Sequence, residues 1–145
     1  TPQWLEPAVA VPEDGKSFRL IGGKQAIHTH TQTANSEPLM AITKQYGLER
    51  VWMNAQRAEE LGISDGDTVE VSNEQHTGKV QVKVTQRINP DALYMPSHYG
   101  CSSKEEKTAY GVGLRQMDYV PFRIEPGYGG ICSQEAVVTV KKVGA

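Results

Sequence analysis

The sequence is short of the features that most often announce a function. It carries two cysteines, two phenylalanines and two tryptophans in 145 residues. No C-x-x-C spacing occurs, so a zinc ribbon, an iron–sulfur cluster or a thioredoxin-type centre has no ligand set here. Cys101 and Cys132 are expected as free thiols with no metal or catalytic role, because a domain of this size buries enough surface to stand without a staple. No apolar run approaches the roughly 18 residues of a membrane span. An excess of one charge is also lacking. Fifteen Lys and Arg against seventeen Asp and Glu leave a net charge of -2, whereas an electrostatic nucleic-acid binder is basic. Neither a P-loop nor a Rossmann glycine pattern is present. Asp65, Asp67 and Glu70 lack the terminal bidentate acid of a calcium loop and read as a charged turn.

What is present is turn chemistry. Fourteen Gly, eight Pro and six Tyr favour short strands joined by many turns over a helix bundle. Residues 1–16 are Pro-rich and weakly patterned and read as an extended lead-in or linker, and residues 17–145 as one domain. The chain starts at Thr1 without a recognisable signal peptide, as a mature secreted protein or a piece of a longer chain would. Residues 18–21 form an apolar strand closed by Gly22 and Gly23. Ser36, Glu37 and Pro38 open a helix that Gly47 ends. Residues 51–53 read as a buried strand, Asn54 caps a helix over 55–61, and Gly62 stops it. Gly66 sits in a tight turn before a strand at 68–72, and residues 73–78 read as a hairpin loop. Val80, Val82 and Val84 alternate with polar residues, the period of a half-buried strand. Further strands are expected at 93–95 and 137–143, and no internal repeat is visible. Residues 97–134 hold six of the glycines and little apolar pattern, and a stretch this long is expected to be a functional loop or to wrap a ligand. Short helices among short strands favour a small barrel over an open doubly wound sheet.

The main candidate site is the run His28, Thr29, His30, Thr31, Gln32, Thr33, Ala34, Asn35 between a strand and a helix start. Hydroxyls, imidazoles, an amide and helix amides can all donate to anionic oxygens, with Lys24 adding charge. A pyrophosphate or dinucleotide cradle and a plain solvated loop are both consistent with it. His28 and His30 also form an H-x-H pair, but no third ligand is close in sequence. His98 and Cys101 lie close together without a group to orient the imidazole.

These pieces, in this order, resemble a known family. Residues 51–71, VWMNAQRAEELGISDGDTVEV, are similar to the strand–helix–turn–strand stretch of the molybdopterin-dinucleotide-binding domain, the C-terminal part of large subunits in the DMSO reductase family. The His-Thr-rich loop resembles that domain's dinucleotide loop, and the lead-in with Trp4 its preceding linker. Leu20-Ile21-Gly22-Gly23-Lys24 with His28-Thr29-His30, Pro121, Gly129-Gly130 and the closing valine-rich strand most resemble thiosulfate and polysulfide reductase catalytic subunits, with arsenate and tetrathionate reductases near. The resemblance implies a mainly β fold with short helices, a double-psi β-barrel. It implies molybdopterin guanine dinucleotide as cofactor, carrying molybdenum or tungsten, with the metal's protein ligand and an iron–sulfur cluster upstream of this chain. It implies cofactor contacts at His28, Thr29, His30, Thr31, Thr33 and Asn35. The region around His98 and the long loop to Gln134 would face a second pterin. An asparagine that family members carry before a late apolar strand finds its nearest match at Met117 or Asp118.

The implied partners are upstream domains of the same large subunit, an iron–sulfur electron-transfer subunit and a membrane-anchor subunit, with no nucleic acid. The implied location is the periplasm or its membrane face. The isolated domain is expected to be soluble and to show no turnover. The rival from another class is a stand-alone double-psi barrel acting as an adaptor or binding module. A self-processing decarboxylase on the same barrel needs a Gly-Ser cleavage pair, and the chain has none.

Overall fold

A computed structural model describes residues 1, 4, 6–28 and 32–144. Six strands are found among them: β1 (Ser17–Gly23), β2 (Val51–Asn54), β3 (Thr68–Ser72), β4 (Thr77–Thr85), β5 (Ala92–Pro96) and β6 (Ala136–Lys142). Two helices intervene, α1 (Glu37–Tyr46) and α2 (Ala55–Glu60), with a 3-10 turn at Gln116–Tyr119. Alternate residues of a strand share a face, so Phe18 and Leu20, Val51 and Met53, Val69 and Val71, Val80 and Val82, Leu93 and Met95, and Val138 and Val140 fill one interior. The strands close into a barrel in the order β1-β5-β2-β4-β3-β6.

Two of the pairings are parallel, β1 with β5 and β2 with β4, and the other four are antiparallel. Exchanging β1 with β4, β2 with β5 and β3 with β6 maps the set of pairings onto itself with every sense kept, β2–β5 and β3–β6 each returning to itself. The parallel pair β1–β5 becomes β4–β2, and the antiparallel pair β1–β6 becomes β4–β3. This is the two-fold relation of a double-psi β-barrel. No repeat in the sequence announces it, because the relation lies in strand pairing and is not carried by residue identity.

Local signals explain where the elements begin and end. Asn54 caps α2, its side chain accepting from the Gln56 N–H at 2.9 Å. Gly47 takes the left-handed conformation (φ 59°) after α1, as a C-terminal glycine does. Ser36 stands at the α1 start without a side-chain cap bond, and the proline in the first turn sets the entry instead. The hairpin loop expected over 73–78 is shorter, because Thr77 and Gly78 belong to β4. A Cβ on Gly78 would lie 2.6 Å from Leu114 Cδ2 and 2.8 Å from the Tyr119 hydroxyl. The strand continues through Gly78 because another segment packs directly on its backbone.

That segment is the long one, residues 97–135. Tyr119 is fully buried in the barrel core and its hydroxyl donates to the Val71 carbonyl at 3.3 Å. Burial pushes its phenol well above the usual range, so it stays protonated and remains a donor. Asn73 Nδ2 donates to the Tyr119 carbonyl at 2.7 Å and to the Val137 carbonyl at 3.2 Å. The glycine-rich segment is therefore pinned at its middle to β3 and β6.

Two outcomes are expected. Tyr119→Ala should cost roughly 3–5 kcal/mol as a large core truncation, and Tyr119→Phe about 1 kcal/mol for one hydrogen bond. Urea unfolding measures both, and equal losses would show that the ring packing is not the anchor. The Lys142 ammonium and the Ser64 N–H hold the Asp67 carboxyl below its usual range. A depressed folded value gives a contribution that is full above the unfolded value and lost as pH falls through the folded one. The part of the acid melt removed by Asp67→Asn should thus lie below about pH 4. A stability difference between the two proteins that stays unchanged from neutral pH down through the acid range would contradict this.

Candidate functional site

Because β1 and β5 are parallel, they leave the barrel at the same end, with Gly23 opposite Pro96. The Gly23 carbonyl accepts from the Ser97 N–H and from the Tyr94 hydroxyl, each at 2.9 Å. The chain continues from these two strand ends as two walls. One is the end of the polar loop, at Gln32, Ala34 and Asn35. The other starts at Ser97 and His98 and returns at Arg115 and Gln116. Between them lies a cavity of about 520 Å³, whose lining also includes Glu106, Cys101 and the half-exposed Met117. A second cavity of about 360 Å³ shares Gly100, Cys101 and Arg115 with the first, so the two adjoin. Ligand sites commonly span 300–1,000 Å³ and combine apolar walls with a few placed polar groups.

The walls are built by specific bonds. Asn35 Oδ1 accepts from the Thr108 and Ala109 N–H groups at 2.9 and 3.3 Å, tying the two loops together across the cavity. Arg115 Nε donates to Asp118 at 2.8 Å, while its terminal guanidinium nitrogens meet no other described residue. The guanidinium is thus oriented with donors to spare for an anionic oxygen. Gln116 is buried, donates through Nε2 to the Ser133 carbonyl at 3.2 Å and lies against Gly22, where a Cβ would fall 1.8 Å from its Oε1. Gly22 is therefore required by close approach. His98 has φ 87°, the one positive value at a non-glycine among the described residues.

The residues singled out in the sequence divide three ways. Asn35 and His98 line the cavity. Thr29, His30 and Thr31 lie outside the described residues. His28, Thr33 and Gln134 are placed beside the cavity without lining it. His28 is 3% exposed, with Nε2 2.8 Å from the Thr43 hydroxyl and Nδ1 3.3 Å from that of Thr33. Its imidazole serves the protein interior, because the helix face carrying Thr43 packs under the loop. Gln134 exchanges both amide groups with the Gly22 backbone, accepting at 3.0 Å and donating at 3.4 Å. Among the described residues no cluster of three His, Cys, Asp or Glu is placed to hold a metal. Arg115 and Gln116 carry no motif in the sequence, and Glu106 reads there as part of a solvated face with Lys104, Glu105 and Lys107. Their signal was only a polar run inside a glycine-rich stretch, without periodicity to mark a face.

Comparisons with known proteins bear on the family and the fold. The family model described as "Molydopterin dinucleotide binding domain" matches residues 18–118. The thiosulfate reductase molybdopterin-containing subunit PhsA of Salmonella typhimurium is 27% identical over 111 residues, covering 77% of this chain and 14% of that protein. The chain thus spans about a seventh of the length of the curated relative it matches. Acetylene hydratase from Pelobacter acetylenicus superposes with a TM-score of 0.69 at 12% identity, over 87% of this chain and 18% of that one. At that identity the likeness is one of fold.

Asn35→Ala should release residues 108–109 by removing an acceptor shared by two backbone donors, a loss of about 1 kcal/mol. Amide exchange should quicken at Thr108 and Ala109 and stay unchanged in β4. Unaltered exchange at both amides would mean that the clasp does not hold the loops together.

Proposed function

This chain belongs to the molybdopterin dinucleotide binding domain family, and we propose that it holds a molybdopterin guanine dinucleotide between the two walls at the β1–β5 end. The observation that carries this reading is the convergence of two loops on one cavity lined by a guanidinium, amides, a hydroxyl and an imidazole. These groups suit the cofactor's chemistry. Arg115 supplies spare donors for pyrophosphate oxygens. Gln32 and Asn35 can meet polar ring edges, and the Glu106 carboxylate can accept from the N–H groups of a pterin or a guanine. When bound, the cofactor supplies a redox-active molybdenum or tungsten centre. The protein's part here is binding, orientation and exclusion of water.

The reaction we propose for the whole enzyme is two-electron reduction of thiosulfate or polysulfide, on the strength of the thiosulfate reductase relative. Electrons would reach the site through an upstream iron–sulfur cluster and an iron–sulfur subunit, with a membrane-anchor subunit at the periplasmic face. A larger assembly is also favoured by the surface of the segment that follows the 3-10 turn. Phe122, Ile124, Tyr128 and Ile131 are exposed, Tyr128 completely. An Ile124–Ile131 bridge and an Arg123–Glu135 ion pair at 3.0 Å close this arm on itself. Its charges are thereby partly used within the arm, and its apolar side chains face outward. Apolar surface of this kind marks a docking site, and upstream domains of the same large subunit are the partner proposed for it.

The test is cofactor content. The intact gene product, purified without oxygen and denatured, should release a pterin, detected by the fluorescence of its oxidised form, together with guanine nucleotide. Arg115→Ala should lower retention about ten- to a hundredfold, as expected for one or two hydrogen bonds to charged oxygens, with little change in melting temperature. Full cofactor in Arg115→Ala would move the site elsewhere. A gene product with no pterin at all would favour the adaptor reading. Reduction of thiosulfate or polysulfide by the loaded enzyme is expected, and failure with each would remove the substrate assignment alone.

A further inference from the structure

The wall residue His98 sits in a backbone conformation that side chains disfavour, and such strain persists only where neighbouring structure imposes it. The neighbour that can impose it is the next residue. Tyr99 is 5% exposed and its ring stands edge-on to His28, with centroids 5.5 Å apart at 89°. Its hydroxyl is 3.3 Å from the Thr43 hydroxyl, which is in turn 2.8 Å from His28 Nε2. Gly100 follows with φ 80°, and a Cβ there would lie 2.3 Å from the Arg115 backbone nitrogen. The wall is thus clamped on both sides of Tyr99, by the Gly23–Ser97 bond before it and by the Gly100–Val112 bond at 2.8 Å after it.

The hydrogens of this buried chain can be placed by elimination. Burial keeps the Tyr99 phenol protonated, and Thr43 Oγ1 is its hydrogen-bonding neighbour. If the phenol donates to Thr43, the threonine hydrogen goes to His28 Nε2. The remaining imidazole hydrogen, on Nδ1, then points to Thr33. Every donor is used, with His28 accepting at Nε2 and donating at Nδ1. The reverse order leaves the phenol hydrogen without an acceptor among the described residues, a costly state in a buried site.

We propose that Tyr99, held by Thr43 and His28, is a positioning residue that forces His98 into its left-handed conformation and thereby presents it to the cavity. The network joins both walls, since His28 begins the polar loop and Tyr99 belongs to the other wall. Its place in cofactor binding rests on the function proposed above, but the anchor itself can be read without a ligand.

The experiment pairs Tyr99→Phe with His98→Gly in the 145-residue chain and repeats the design with Thr43→Val. Glycine relieves strain at positive φ, so His98→Gly should be more favourable in the parent than in Tyr99→Phe, by about fivefold in the unfolding equilibrium constant. The His98 amide–Hα coupling, which reports φ, should change in Tyr99→Phe and Thr43→Val and be restored in Thr43→Ser, which keeps the hydroxyl. The His28 ring nitrogens should lose their single-tautomer signature in the same two variants. If Tyr99→Phe fails to fold, the Thr43→Val and Thr43→Ser pair decides. In the intact gene product, Tyr99→Phe should lower pterin content several-fold, and the exposed-site control Tyr46→Phe should not. An unchanged His98 coupling with equal effects of His98→Gly in both backgrounds overturns the anchor. An altered coupling with normal pterin content overturns its role in the site. Absence of pterin from the parent protein removes that role together with the function proposed above, while the coupling result for the anchor stands.

Discussion

The parallel pairing of β1 with β5 is the constraint on which the site depends. Antiparallel neighbours can be joined by a tight turn, but parallel ones cannot. Both chains must therefore leave at the same end and find their own way back, one through residues 24–50 and the other through 97–135. The site is what those two excursions enclose. Its floor is the last rung of the ladder, where Ser97 and Tyr94 both bond the Gly23 carbonyl. Its closure is the clasp of Asn35 on residues 108–109.

The two-fold relation of the barrel supplies an internal comparison. The equivalent parallel pair, β2 with β4, also sends two chains from one end, with Asn54 opposite Thr85. There the excursions are short, α2 with its turn on one side and residues 86–91 on the other. They are tied by one buried asparagine, whose Nδ2 donates to the Ile88 carbonyl at 2.8 Å while its Oδ1 caps α2. One end of the barrel is thus closed by its own chain, and the other is held open by longer chain with a comparable asparagine clasp. The same topology yields a cavity only where the connections are long enough to stand apart. The middle of the longer connection is then fixed by Tyr119 in the core, which leaves its flanks to form walls.

Much of the barrel was legible in the sequence because it rests on local rules. The alternation of Val80, Val82 and Val84, the Asn54 cap, and the glycines after each helix all mark elements close to where they occur. The site was legible only in part. Asn35 and His98, both expected at the cofactor, line the cavity, since polar residues beside strand ends have few other places to go. His28 was read as a donor to a ligand, yet its ring is turned inward to Thr43, a partner fifteen residues away on a helix face. Gln134, also expected at the cofactor, bonds Gly22 on the strand antiparallel to the one it precedes, a partner far away in sequence. Such pairings are long-range and depend on chain topology, which composition and periodicity do not encode. Tyr119 and Arg115 were hidden for the same reason. A core residue in a segment without periodicity looks like any other loop tyrosine until the segment is seen to cross the barrel.

The two excursions from the β1–β5 end are proposed to grip one ligand. Amide exchange of the intact gene product, compared with and without its pterin cofactor, tests it most directly. Added protection is expected at residues 32–35, 97–101 and 115–117, with β3, β6 and the closed end at 86–91 unchanged. Protection confined to the closed end, or spread evenly over the barrel with none added to the two walls, would contradict it.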